Sequence, residues 1–276
     1  MNSVVRRLSI SRSHAPGGGS PRYRRLAYGF DLMRHLVWRD FSLRYKQSIL
    51  GILWSLLLPL AQLLVLVFLF QTVVPLNIEA YPAFVFTALL PWSWFGSSVG
   101  SACNLFVSNR DLVRRPDFAP SLLMVVNTLS NMLTYLVALP ILFAMLAAYG
   151  IALTPALALF PVLLLIQSVL TVGLSLLVAT ANVYFRDVQH IVGVLLTLLF
   201  YLTPVFYRPQ AVVQQYHELY TFNPIAVLLQ SYRSIFLYGV MPPWPAVAFA
   251  ALSAIAIWLL GIIAYSARAS DIVDMI

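Results

Sequence analysis

Hydrophobic residues make up 61% of the 276-residue chain and charged residues 9%, against roughly 45–50% and 25% in soluble domains. That much apolar surface excludes a soluble fold, because only lipid can take the excess. The formal charge of +8 does not point to nucleic acid, since the basic residues gather at the flanks of apolar blocks, and the single cysteine, Cys103, excludes an internal disulfide and a cysteine-built metal site.

Residues 1–27 are rich in Arg, Ser and Gly, with Gly17-Gly18-Gly19 at their centre. They lack the apolar stretch of a signal peptide and are expected to form a disordered basic cytoplasmic tail. Over residues 28–48 the pattern changes. Phe30, Met33, Val37, Phe41 and Tyr45 recur at spacings of three and four, which places them on one helical face. His35, Arg39, Ser42 and Lys46 lie opposite, and Arg34 and Arg44 stand near the apolar edges, where long stems can snorkel. The pattern predicts an amphipathic helix in the membrane interface. The plainer reading is a basic flank that anchors the next span.

Six spans are expected, at about 51–74, 83–107, 121–149, 156–181, 191–207 and 245–266. The first block, Gly51 to Val74, carries no charged residue over 24 positions, where a helix needs roughly 20 to cross the bilayer core. Pro59, Pro91, Pro140 and Pro161 fall inside the blocks and predict kinks. With the N-terminus inside, fifteen of the 17 basic residues fall on the cytoplasmic side. The predicted topology is therefore N-in and C-in, with residues 267–276 in the cytoplasm. The stretch 223–240 is apolar but short, and it carries Arg233. A charge at mid-bilayer costs roughly 2.5–3.5 kcal/mol on insertion scales, so a re-entrant segment within an outer cap over 208–244 is expected. The fold class is thus all-α integral membrane, one domain over 51–266.

The chain's chemistry is sparse. No Gly-Lys-Ser/Thr loop is present, and the only lysine, Lys46, sits in Tyr45-Lys46-Gln47, so the chain cannot hydrolyse ATP through a phosphate-binding loop. None of the nine acids lies in a predicted span, and the four histidines lack ligand spacing. No catalytic residue, metal site or resident cofactor is expected. Ion-driven carriers place ionisable groups near the midplane, so the energy is expected to come from another chain. The spans do hold aromatic clusters: Trp92, Trp94 and Phe95 in the second, and Phe200, Tyr201, Phe206 and Tyr207 at the end of the fifth. These form either an interfacial belt or stacking surfaces for the apolar face of sugar rings.

The run Arg39-Asp40-Phe41-Ser42-Leu43-Arg44-Tyr45-Lys46-Gln47-Ser48-Ile49-Leu50-Gly51-Ile52-Leu53-Trp54, then Pro59, closely resembles the first-span entry of ATP-binding-cassette permeases that export bacterial polysaccharides. That family includes the O-antigen, capsule, teichoic acid and galactan exporters. Asn182-Val183-Tyr184-Phe185-Arg186-Asp187-Val188, running on to Leu202-Thr203-Pro204-Val205-Phe206-Tyr207, resembles its fourth-to-fifth span connection. Asn223-Pro224 and Tyr232-Arg233 resemble its outer re-entrant gate. The loop 109–120 departs from the family's usual order, although its basic residues and prolines persist.

The resemblance implies a homodimer with two separate ATPase subunits, which bind ATP and Mg for the complex, and a polyprenyl-pyrophosphate-linked glycan as cargo. Arg34, Arg39, Arg44 and Lys46 are the candidates for the lipid pyrophosphate, since a guanidinium fork pairs with phosphate oxygens. Arg110, Asp111, Arg114 and Arg115, on a short helix expected at 109–118, and Arg186 and Asp187 are the candidates for ATPase coupling. Trp92, Trp94, Phe95, Phe200, Tyr201 and Tyr207 are the candidates for the glycan path. Membrane lipids are expected partners and nucleic acid is not. Two other readings stay open: a related permease for a hydrophobic drug or small lipid, and an intramembrane acyl- or glycosyltransferase.

Overall fold

The computed structural model describes residues 33–40, 42, 53–115, 118–209 and 220–276. The expected tail, much of the expected interface helix with Arg44 and Lys46, the start of the first span and the middle of the outer cap lie outside these residues. Among the described residues all regular structure is helical. Residues 33–40 are helical, with Leu36 buried and Met33, Val37 and Asp40 half-buried on one side, while Arg34, His35 and Arg39 are exposed. Ser130 donates from Oγ to the Val37 carbonyl (3.4 Å), which seats this segment against the third long apolar block.

From Leu53 the helices run in chain order. They are α1 (Leu53–Val67), extended by a π-helical stretch Phe68–Val73, then α2 (Tyr81–Ala102), α3 (Leu105–Ser108), α4 (Arg110–Val113) and α5 (Leu122–Ala148). A 3-10 turn, Pro155–Leu159, leads into α6 (Phe160–Tyr184). After it come α7 (Val188–Leu202), α8 (Pro224–Phe236), α9 (Trp244–Ser266) and α10 (Ala269–Met275). Four of these stretches are long and apolar enough to cross a membrane: Leu56–Val73, Leu122–Ala148, Pro155–Tyr184 and Trp244–Ser266. The chain is a multi-pass membrane protein.

Within the stretch 109–118, where a short helix is expected, the described residues hold one helical turn, Arg110–Val113, preceded across Asn109 by another at Leu105–Ser108. Pro59, Pro91 and Pro140 lie inside helices as the blocks predict. Pro161 does not: it occupies the first turn of α6, where the missing N–H costs nothing because that donor has no intrahelical partner.

α2 has 22 residues, yet it is not among the four strongly apolar stretches. Its serines, glycines, prolines and tryptophans lower its hydropathy. The reason is positional. α2 is the hub, packed on α5, α6, α8, α1 and α7, and most of its residues are buried in protein. A helix shielded from lipid is free to carry polar groups, and here they join helices. Asn127 of α5 donates to the Ser98 carbonyl (2.8 Å), Ser101 Oγ donates to Asn127 Oδ1 (2.9 Å), and Trp94 Nε1 donates to the Thr128 carbonyl (3.0 Å). Gln167 of α6 donates to the Pro91 carbonyl (2.8 Å).

The most extensive helix contact is between α6 and α9. It is close because each helix offers a glycine. A Cβ on Gly173 would lie 2.6 Å from the Trp258 backbone, and one on Gly261 would lie 2.5 Å from the Gly173 carbonyl oxygen. No methyl group fits at either place.

α8 is 13 residues long, about 20 Å at a rise of ~1.5 Å per residue, and is too short to cross a core of ~30 Å. Asn223 caps it by accepting from the Ile225 and Ala226 N–H groups (3.1 and 3.4 Å), and Pro224 follows in the first turn. Arg233 of this helix is fully buried. Its Nη1 donates to the Pro204 carbonyl (2.6 Å), Nη2 to the Val205 carbonyl, and Nε to the Phe84 carbonyl (3.3 Å), while the guanidinium lies 3.7 Å from the Phe84 ring centroid. Tyr81 adds a bond from its hydroxyl to the next carbonyl, that of Phe206 (3.0 Å). Three consecutive carbonyls of the turn after α7 are thus held by side chains of α8 and α2. Among the described residues no carboxylate pairs with Arg233, so carbonyl dipoles and the face of Phe84 balance its charge.

Two stability outcomes follow from these contacts. Gly173→Ala or Gly261→Ala must push α6 and α9 apart, at about 1–3 kcal/mol each, which thermal unfolding of the purified protein in detergent will read as a lower midpoint. Arg233→Met leaves buried carbonyls unmet at about 1–3 kcal/mol apiece, and Arg233→Lys, lacking the planar fork, is expected to recover little of that loss. An unchanged midpoint in Arg233→Met would show that the turn is held by other contacts.

Candidate functional site

A cavity of about 770 Å³ runs along α2 between α1, α5 and α7. From α2 it takes Trp92, Ser93, Trp94, Gly96, Ser97 and Ser101. From α7 come Leu196, Thr197, Phe200 and Tyr201, from α5 Asn131, Thr134, Tyr135 and Ala138, and from α1 Leu56, Leu58, Pro59 and Gln62. Ser93, Ser97 and Ser101 repeat every four residues, so one side of α2 presents a column of hydroxyls. Ser97, Ser101, Thr197 and Tyr201 are exposed. The cavity is therefore a groove open along one side and not a closed chamber.

Its lining combines ring faces with hydroxyl and amide groups and includes no acid, histidine or cysteine. Such a surface offers stacking and neutral hydrogen bonds. Among the described lining residues there is no carboxylate, histidine, lysine or arginine, so the groove presents no fixed charge.

The predicted aromatics divide around this groove. Trp92 and Phe200 meet across it, with centroids 5.7 Å apart, and Tyr201 packs edge-on to Phe200 at 5.3 Å. Trp94 touches the groove but is otherwise buried, stacked on Tyr135 at 5.6 Å. Phe95 is buried behind Trp92 (5.7 Å) and does not line the groove. Tyr207 is also outside it. Its hydroxyl donates toward the Tyr201 and Leu202 carbonyls (3.2 and 3.1 Å) and lies 3.2 Å from the Tyr220 hydroxyl, so it braces the turn after α7. Asn223, Pro224, Tyr232 and Arg233 come together on α8 at this end. Asn223 Nδ2 also donates to Thr203 Oγ1 (3.3 Å), and Tyr232 is buried between Tyr135 and Phe160.

The charged candidates gather at the opposite end. Arg110, Asp111, Arg114 and Arg115 are exposed around α4, and Arg186 and Asp187 are exposed in the turn between α6 and α7. Both surfaces stand on one apolar cluster that includes Phe106, Val113, Met124, Leu176 and Ile272. The end of the chain ties them together. Tyr265 stacks on Phe106 at 5.9 Å, Tyr184 donates to the Asp271 carboxylate (2.9 Å), and Arg268 lies over the Tyr184 ring at 5.1 Å. Arg34 and Arg39 are exposed on the 33–40 segment, and their partners Arg44 and Lys46 lie outside the described residues.

The hydroxyl column and the α5 groups Asn131 and Thr134 went unnoticed in the sequence. Serines four apart within an apolar block were the available signal for the column. Nothing in the sequence marked Asn131 and Thr134, because only packing decides which side of α5 faces α2.

The model of the ABC-2 type transporter family matches residues 31–237. An O-antigen export system permease protein RfbA of Myxococcus xanthus is 38% identical over 231 residues, covering 82% of this chain and 88% of that protein. A protein of the same description from Klebsiella pneumoniae is 32% identical over 219 residues, covering 78% and 84%. The polysialic acid transport protein KpsM of Escherichia coli is 22% identical over 237 residues, covering 84% and 92%. A match that runs through the groove and the basic end, with relatives this similar over most of their length, shows that the chain belongs to the ABC-2 type transporter family.

Proposed function

We propose that the chain is the permease subunit of an ATP-driven exporter that carries polyprenyl-pyrophosphate-linked polysaccharide out across the bacterial inner membrane. The groove carries this reading: its open side presents aromatic rings and hydroxyls with no fixed charge among the described lining residues, which suits a sugar chain that slides over ring faces. A second copy set against that open side would turn two grooves into one conduit. The O-antigen and polysialic acid named for its relatives agree with a polysaccharide cargo, whether or not it is charged.

In this reading the helices make six crossings, with both termini in the cytoplasm. Beyond the four strongly apolar ones, α2 supplies the fifth, and α7, whose 15 residues are extended by the turn to Tyr207, the sixth, while α8 dips into the outer leaflet without crossing. The arginines at α4 and Arg186-Asp187 then face the cytoplasm. There two ATPase subunits, holding ATP and Mg, press on them. Arg34, Arg39, Arg44 and Lys46 receive the pyrophosphate at the inner leaflet.

Three outcomes test this. In the producing bacterium, Ser97→Trp, which narrows the groove, and Trp92→Ala, which removes a stacking face, are expected to cut surface polysaccharide by about tenfold or more. One tenfold step is ~1.4 kcal/mol, within what one stacked ring contributes. Lipid-linked precursor should accumulate inside while the protein stays in the membrane at parental level. Unaltered surface polysaccharide in Ser97→Trp would place the path elsewhere. Neutral replacement of Arg34, Arg39, Arg44 and Lys46 together is expected to block entry with the same precursor build-up, and normal export in that variant removes the pyrophosphate role. A C-terminal tag labelled only from the periplasm would overturn the six-crossing topology.

A further inference from the structure

At the basic end three amide side chains meet where three helices stop or start. Asn182 lies in the last turn of α6 and is 2% exposed. Its Nδ2 donates to the Cys103 carbonyl (2.9 Å) just beyond α2, and to Asn104 Oδ1 (3.3 Å). Its Oδ1 accepts from the backbone N–H of Gln189 (3.1 Å), in the first turn of α7. Asn104 Nδ2 then donates to Gln189 Oε1 (2.7 Å). Every edge of the Asn182 amide is engaged, and the triangle closes.

The local capping pattern marks this as a long-range connection. The first N–H groups of a helix lack intrahelical acceptors, and Asn or Asp at the N-cap ordinarily meets them. α7 has Asp187 at its N-cap, and that side chain makes no cap bond. Asn182 of α6 caps α7 in its place. α3 has Asn104 at its N-cap, and that side chain makes no cap bond either. It is turned across to α7. Two residues of the favoured capping type leave their own helices uncapped, and the joint between helices is closed by other means.

What the joint connects is specific. On one side, Asn104 heads the α3–α4 segment, whose backbone hangs from it through Ser108 N–H to the Asn104 carbonyl (2.8 Å) and which carries Arg110 and Arg114. On the other side is α7, which begins just after Arg186-Asp187. In α7 only Val192 is buried. Its far end is fixed by Arg233 through the Pro204 and Val205 carbonyls, and between the two anchors Thr197, Phe200 and Tyr201 line the groove. A helix tied by polar groups at both ends and packed lightly between them can swing as a unit.

We propose that Asn104, Asn182 and Gln189 are positioning residues that pass a displacement of the α3–α4 segment and the Arg186-Asp187 turn to α7, and so set the width of the groove. They touch neither cargo nor nucleotide. The proposal rests on the reading that an ATPase pushes at this end, and it adds the route by which the push reaches the wall of the path.

The test uses the chain in complex with its ATPase in nanodiscs, in a Cys103→Ser background that keeps the accepting carbonyl. Spin labels at Leu165→Cys on α6 and Leu195→Cys on α7, both exposed, report the α6–α7 distance with and without ATP. With the joint intact the distance is expected to change on adding ATP. Asn182→Ala should remove most of that change while hydrolysis per complex persists. Gln189→Ala keeps the backbone cap and loses only the link to Asn104. It folds more safely and should show the same uncoupling in smaller degree. A nucleotide-dependent distance change equal to the parent's in both variants overturns the proposal, as does loss of hydrolysis in step with loss of movement, which marks a merely structural role. A parent complex that hydrolyses ATP without moving α7 also overturns it. Export is not scored, so a wrong cargo leaves the result intact, whereas a chain that recruits no ATPase strikes the functional reading itself.

Discussion

A single buried guanidinium holds the α8 end of this protein together. Arg233 sits on a helix too short to cross a bilayer, and it reaches the carbonyls of Phe84, Pro204 and Val205 on two other elements. The turn at 203–207 cannot satisfy its own carbonyls, because Pro204 interrupts the helical ladder and the chain changes direction there. In a membrane, unmet backbone groups are costly. One side chain with five donors in a fixed plane meets that need better than several monodentate groups could. The charge is tolerated because it is buried among oriented dipoles and against a ring face, and not in hydrocarbon. Placement of α8 over α2, and of the turn that ends α7, both follow from this contact.

The position of α2 explains its unusual composition. α1 and α9 keep broad apolar faces exposed, whereas α2 is wrapped by its neighbours. It can therefore hold Ser98 and Trp94 in bonds to α5 and still present Ser93, Ser97 and Ser101 to the groove. The groove is polar because the helix that floors it never had to face lipid on that side. Its aromatic groups come from both walls, so Trp92 and Phe200 bring α2 and α7 into contact across it.

The two ends of the molecule are built on different principles. At the α8 end aromatic packing is dense, with Tyr135, Phe160, Tyr232 and Phe236 in mutual contact. That end suits a fixed frame. At the basic end α3, α4 and α10 are short, hydrogen bonds from amide side chains join helix ends, and charged groups stay exposed. Directional bonds between helix termini hold relative orientation while leaving the helices free to move together. Gly239 marks a smaller fixed point at the α8 end. Its backbone is left-handed (φ +63°), and its carbonyl accepts from Thr154 Oγ1 (2.9 Å), leaving no room for a side chain.

Much was legible from residues alone. Four of the apolar blocks are helices long and apolar enough to cross a membrane, the short arginine-bearing stretch is a separate short helix, and most of the exposed arginines sit at the other end. These features depend on composition summed over windows of ~20 residues, which local sequence records fully. The groove was only half legible. Trp92, Phe200 and Tyr201 were identifiable as aromatic groups near an interface, but Phe95 and Tyr207 have the same character and face elsewhere. Along an apolar helix every face is apolar, so periodicity carries no sign of which side meets lipid, protein or path. Only tertiary packing decided that, by setting which helix each ring met. The amide joint and the Arg233 clamp have the same origin: their partners lie between 28 and 149 positions apart for Arg233, and about 80 for Asn182 with Cys103 and Asn104, and no local pattern encodes a bond over such a separation.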